Sequence, residues 1–122
     1  MISARARQAT WAAFTLAIVL QLVALYWPSP PGGPVIPGLD KLVHAAVFLL
    51  PALLGVVAGI RPLWLGAALV AHAVASELVQ HLLLPERGGD LWDAVVDVVG
   101  VAVGLALGIA LRRRLRRSHR MA

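Results

Sequence analysis

Residues 91–111 read LWDAVVDVVGVAVGLALGIAL, and Arg112, Arg113 and Arg114 follow at once. A helix crossing a bilayer needs about 20 mostly apolar residues, and this stretch supplies them. Asp93 and Asp97 interrupt its first half, with Asp90 just upstream. Spacings of three and four put Asp90, Asp93 and Asp97 in one stripe along a helix. Gly100, Gly104 and Gly108 prolong the same stripe, and small residues four apart let helices approach closely. The acids thus share a face with the packing surface and are expected to point into a bundle rather than at lipid.

The rest of the chain agrees with this reading. It has 122 residues, 60% of them hydrophobic, and a mean hydropathy of +0.82. Soluble domains are seldom more than about half apolar. Candidate spans are Ala9 to Trp27, Leu42 to Ile60, Leu63 to Leu84, and Leu91 to Leu111, with a basic tail over 112–122. The expectation is an all-α membrane protein with a single four-helix transmembrane domain over residues 1–122. The first apolar run follows Arg5 and Arg7 as a signal peptide would, but bulky Leu25, Tyr26 and Trp27 replace a small-residue cleavage site, so an uncleaved helix is expected. There is no cysteine, which excludes disulfides, a thiol nucleophile and a thiolate metal site. The net charge of +5 is concentrated in Arg112, Arg113, Arg114, Arg116, Arg117 and Arg120. Directly after a span, this is a topology signal with affinity for anionic headgroups, not a nucleic-acid surface.

With the N-terminus cytoplasmic, four helices return the C-terminus to the same side. Nine of the eleven basic residues then lie inside, leaving only Lys41 and Arg87 outside. All six acids, Asp40, Glu77, Glu86, Asp90, Asp93 and Asp97, fall at or near the outer end. The loop from Pro28 to Gly38 is too rich in Pro and Gly for a helix. Asp40 then opens the second helix as an N-cap or first-turn acid. Pro62 is well placed to start the third helix. The short turns at Arg61-Pro62 and Pro85 to Gly89 make successive antiparallel hairpins. Trp27, Trp64 and Trp92 sit at helix ends, as interfacial anchors do.

Ionisable groups at membrane depth are costly and are kept where they pair, bind or face water. Asp40 and His44 share a face of the second helix beside Lys41, and Glu77 shares one with Gln80 and His81 on the third. Asp40, His44, Glu77, Gln80, Asp93 and Asp97 are expected to form one outward pocket, with Arg87 in the connecting turn as counter-charge. Glu77, Asp93 and His44 are the candidate catalytic residues. Asp40, Lys41, Gln80, Arg87, Asp90 and Asp97 are the candidate substrate-binding residues. Duller roles exist: a cap for Asp40, a local ion pair for Arg87, an interfacial site for His81, and a hydrogen-bonded core site for His72. Mg²⁺ would suit the oxygens of Asp90, Asp93, Asp97 and Glu77. With His44 included, Zn²⁺ or Mn²⁺ fits. No recognised metal motif is present, so neither a metal nor another cofactor is assigned. The glycine face of residues 100, 104 and 108 serves a neighbouring helix or a second copy of the chain equally well.

These residues resemble the VanZ-like family of small membrane proteins. The likeness is carried by Asp40-Lys41-x-x-His44, Glu77-x-x-Gln80, Pro85-x-Arg87-x-x-Asp90-x-x-Asp93 and Gly100-x-x-x-Gly104, within Leu39 to Gly104. The family usually has asparagine where this chain has Asp97. The change places a second carboxylate close to Asp93, and such a pair tends to share one proton. The resemblance implies a bacterial plasma-membrane protein and a setting of resistance to the glycopeptide teicoplanin.

Three functions compete on the sequence. One is an enzyme acting on a lipid-linked or cell-envelope substrate, with Glu77 or Asp93 as general base, His44 as acid or orienting group and Arg87 holding an anion. Another is a protein that holds or shields an amphiphile without chemistry. The third, proton-coupled transport, fits less well: small multidrug exporters carry their essential acid in the first helix, and this first helix has none. Elements of lipid phosphatases, CDP-alcohol transferases and intramembrane serine proteases are absent.

Overall fold

The computed structural model describes residues 3–29, 36–88 and 90–122. They form four helices: α1 (Ala4–Tyr26), α2 (Leu39–Ala58), α3 (Pro62–Leu83) and α4 (Leu91–Met121). Each is long and apolar enough to cross a membrane. Leu16, Leu20, Val23, Leu78, Leu82 and Val99 stand on the outside of the bundle. Outward apolar side chains along all four helices mark an all-α multi-pass membrane protein.

The helix ends follow local chemistry. Ser3 caps α1, its hydroxyl accepting from the Ala6 N–H at 3.1 Å, so the helix starts five residues before the apolar run does. Gly59, at φ 111°, ends α2 two residues before the expected Ile60. The N–H of Ile60 reaches Gly55 O at 2.9 Å and that of Gly59 reaches Val56 O at 3.1 Å, the paired bonds of a left-handed glycine stop. Pro62 is the first residue of α3. The arginine stretch continues α4 as helix through Met121 rather than trailing as a tail. Arginine is a good helix former, and nothing in 112–121 breaks the ladder.

Helix α2 touches all three others, and its main partner is α4. Gly100, Gly104 and Gly108 lie against the carbonyl oxygens of Ala45, Leu49 and Leu53. A methyl group on Gly108 would stand 2.8 Å from Leu53 O, and the contacts at Gly100 and Gly104 are tighter still. The glycine face, which the sequence offered equally to a second copy, is therefore filled by α2 of the same chain. The apolar core joins Leu25, Phe48, Ala52, Val56, Leu65, Leu69, Ala73 and Val101. Arg7, Gly59, Arg112, Arg116 and His119 line one cleft of about 510 Å³, which places the start of α1, the α2–α3 turn and the end of α4 at one end. The acids gather at the other.

A second polar network crosses the middle. Pro51, inside α2, has no N–H to offer the carbonyl four residues back, that of Val47. Gln21 of α1 fills the gap: its Nε2 donates to Val47 O at 2.9 Å. The Gln21 Oε1 lies 3.0 Å from His72 Nδ1, and His72 Nε2 lies 2.9 Å from the Tyr26 hydroxyl. His72 is thus a hydrogen-bonded core histidine.

Candidate functional site

The acidic end is built from the first two turns each of α2 and α4 and the last two turns of α3. His44, Glu77, Asp93 and Asp97 are all buried there, none more than 8% exposed. His44 is the hub. Its Nδ1 lies 3.0 Å from Asp97 Oδ1 and 3.8 Å from Glu77 Oε1, and its Nε2 lies 3.9 Å from Asp40 Oδ1. When Nδ1 carries a proton, it donates to Asp97. Glu77 Oε2 accepts the N–H of Asp90 at 2.9 Å, which ties the α3–α4 turn to the cluster.

Lys41 supplies the positive charge. Its Nζ pairs with Asp93 and, at 3.4 Å, with Asp90 Oδ2. It sits half-exposed above the buried group, so the Lys41–Asp93 pair forms the rim between water and the interior. Asp90 is the N-cap of α4, its Oδ1 accepting the Trp92 N–H at 2.9 Å. It is therefore outside the helical stripe that its spacing from Asp93 and Asp97 suggested. The Trp92 N–H, and then the Lys41 charge, hold its carboxyl below the ordinary aspartate range. Asp40 is an exposed first-turn acid of α2; Gly38 takes the cap position.

Two expected members of the pocket point elsewhere. Arg87 is no counter-charge to the acids: its Nη2 donates to Ala24 O at 2.9 Å. Gln80 Nε2 donates to Leu25 O at 2.8 Å. Both acceptors belong to the last turn of α1, whose carbonyls have no partner within the helix. Gln80 and Arg87 close that end and fasten α1 to α3 and to the α3–α4 turn, respectively. His81 is exposed on the outer face of α3.

Two atoms are left over. Among the described residues, Glu77 Oε1 and Asp97 Oδ2 are buried without a hydrogen-bond partner. Buried polar atoms in native folds are nearly always paired, so each such exception calls for a cause. His44, Glu77 and Asp97 each offer a ligand atom within 4.8 Å of the others, and so do Asp40, His44 and Asp93. A groove of about 350 Å³ between α3 and α4 reaches the cluster from the side. Glu77 and Asp90 stand in it beside Val74, Leu78, His81, Leu91 and Ala94. The arrangement can take up or release a proton, hold a cation, or meet the polar head of a molecule whose apolar part lies in the groove.

Fold and site define the class: a four-helix multi-pass membrane protein with a buried histidine–carboxylate cluster at one end. No family model, no curated protein and no solved structure matches the chain.

Proposed function

We propose that this is a VanZ-like protein of the bacterial plasma membrane whose polar cluster opens to the outer face. There it acts on or holds an amphiphile of the cell envelope, such as a lipid-linked precursor. The observation that carries this reading is the pair of unpartnered carboxylate oxygens on Glu77 and Asp97. They stand among four buried ionisable side chains gathered at one end of the bundle. A buried charge set is a poor stability device, so its upkeep argues for a task. The side groove supports an amphiphile in particular. Its walls at Val74, Leu78 and Leu91 are apolar and face outward, while Glu77 and Asp90 stand at its polar side. An acyl or prenyl chain would lie along the wall, and the head group would meet the acids. The cluster faces outward in this reading because the arginines, by the positive-inside rule, hold the opposite end in the cytoplasm. A role in glycopeptide resistance rests on the family resemblance alone.

In the catalytic form of the proposal Glu77 is the general base, with His44 beside it as an orienting group held by Asp97. In the holding form the same groups only read the head group. The test is mass spectrometry of lipid and cell-wall-precursor extracts from cells making the chain or its Glu77→Gln form at matched membrane levels. A species gained or lost only with the unchanged chain establishes catalysis. Identical extracts combined with retention of an envelope lipid on the purified chain establish holding. Identical extracts with no retained lipid refute both forms.

A further inference from the structure

We propose that His44, Glu77 and Asp97 bind one divalent transition-metal ion, with Zn²⁺ or Mn²⁺ the fitting class. This deepens the proposed function, since it names the cofactor of the same site, and it rests on that reading for its role. Three side chains from three helices converge: His44 of α2, Glu77 of α3 and Asp97 of α4. Ligand atoms about 2.1 Å from an ion stand roughly 3.0–3.5 Å from one another. The observed separations of 3.0 Å and 3.8 Å from His44 Nδ1 bracket that range. One imidazole and two carboxylates suit Zn²⁺ or Mn²⁺ better than Mg²⁺, which prefers an all-oxygen shell with several waters.

The unpartnered oxygens, Glu77 Oε1 and Asp97 Oδ2, are independent evidence for a ligand. Asp97 is fully buried, and the Glu77 side chain is nine-tenths buried. Charge gives a further reason. Asp93 is already neutralised by Lys41, so Glu77 and Asp97 are the remaining buried carboxylates of the cluster. A divalent ion with neutral His44 balances their two charges in a medium that tolerates no net charge. The ion would replace the proton on His44 Nδ1, leaving Nε2–H on the Asp40 side. Second-shell acids of this kind commonly orient a ligating imidazole. Entry would pass the Lys41–Asp93 rim.

Purified protein in detergent is stripped with chelator, then dialysed separately against Zn²⁺ and Mn²⁺, and bound metal is counted. The expected result is one ion per chain, with affinity falling in Asp97→Asn and in Glu77→Gln by more than the roughly 10–100-fold that loss of an outer-shell partner costs, while Gln21→Leu, in the separate central network, keeps the site. Because a variant that fails to fold would also lose metal, the unchanged protein carries a second readout. Bound Mn²⁺ should show nitrogen hyperfine coupling from one imidazole by pulsed EPR, absent in His44→Gln. Less than one ion per chain, binding unchanged by Asp97→Asn, or bound Mn²⁺ without nitrogen coupling would overturn the proposal. Stoichiometric metal with identical cell extracts and no lipid retained on the purified chain would leave the ion site standing and remove the envelope function. A changed extract without metal would do the reverse.

Discussion

Two polar networks lie little more than one helical turn apart in this bundle, three residues from His44 to Val47 and five from His72 to Glu77, and they differ in completeness. The central one joins Gln21, His72, Tyr26 and the carbonyl of Val47, and its side chains bear no formal charge when His72 is neutral. Each of its hydrogen bonds has a partner at 2.9–3.0 Å. The network at the acidic end joins His44, Glu77, Asp93 and Asp97, is charged, and leaves two oxygens unpaired. The first repairs a defect, since Pro51 frees the Val47 carbonyl and Gln21 fills it. The second ties down the α3–α4 turn through the Asp90 N–H on Glu77, but its two unpaired oxygens repair nothing among the described residues. A complete network is explained by the bundle itself, whereas an incomplete one points to something outside the chain.

The comparison breaks most sharply on function. Glu77→Gln should remove activity by at least about a hundredfold, the usual scale for a lost general base. In the extracts described above the change should match that of cells lacking the chain. Gln21→Leu should leave the extracts unaltered. Stability should show the opposite order. Gln21→Leu strands the Val47 carbonyl and His72 Nδ1 and should cost about 1–3 kcal/mol in an SDS-unfolding titration. Adding Pro51→Ala restores the backbone N–H that Val47 lacks. The double variant should therefore recover part of that loss, with a coupling of about 1 kcal/mol between the sites. Additive losses would deny that Gln21 serves the proline. Tyr26→Phe removes one hydrogen bond of the same network and should cost about 0.6 kcal/mol, the mean for such bonds within membranes.

The smallest effect belongs to Asp90. Its carboxyl is held below the ordinary range by the Trp92 N–H and Lys41. A lowered folded value means the stabilisation is complete above the unfolded-state value and fades as pH falls through the folded one. Stability of the unchanged chain should thus decline in the acid range, and Asp90→Asn should flatten that decline by slightly lowering the plateau near neutral pH, as read from unfolding titrations across pH.

The four helices were legible because a membrane demands long apolar runs, and all four runs stand out by length. Their ends were less so. Val57-Ala58-Gly59-Ile60 reads as continuous apolar sequence, and only the left-handed glycine shows where α2 stops. The arginines read as a tail because they lie beyond the apolar span, although arginine propagates a helix well. The cluster itself was readable: depth and spacing brought His44, Glu77, Asp93 and Asp97 together before any coordinates. Arg87 and Gln80 were misplaced for a physical reason. Their acceptors are backbone carbonyls at the end of α1, and a carbonyl leaves no mark in the sequence. Pairing Arg87 with the nearest acids followed the only charges in view, while Lys41 did that work. Gln21, a lone amide in an apolar helix, gained meaning only beside Pro51.

The most direct test of the contrast is the unfolding free energy of Asp97→Asn against that of Gln21→Leu, in one detergent with chelator present. The substituted amide oxygen can still accept from His44, and the unpaired carboxylate charge disappears. The expected result is a stability for Asp97→Asn within about 0.5 kcal/mol of the unchanged protein or above it, with Gln21→Leu clearly below. A loss at Asp97→Asn equal to or greater than that at Gln21→Leu would contradict it and make the acidic cluster part of the scaffold.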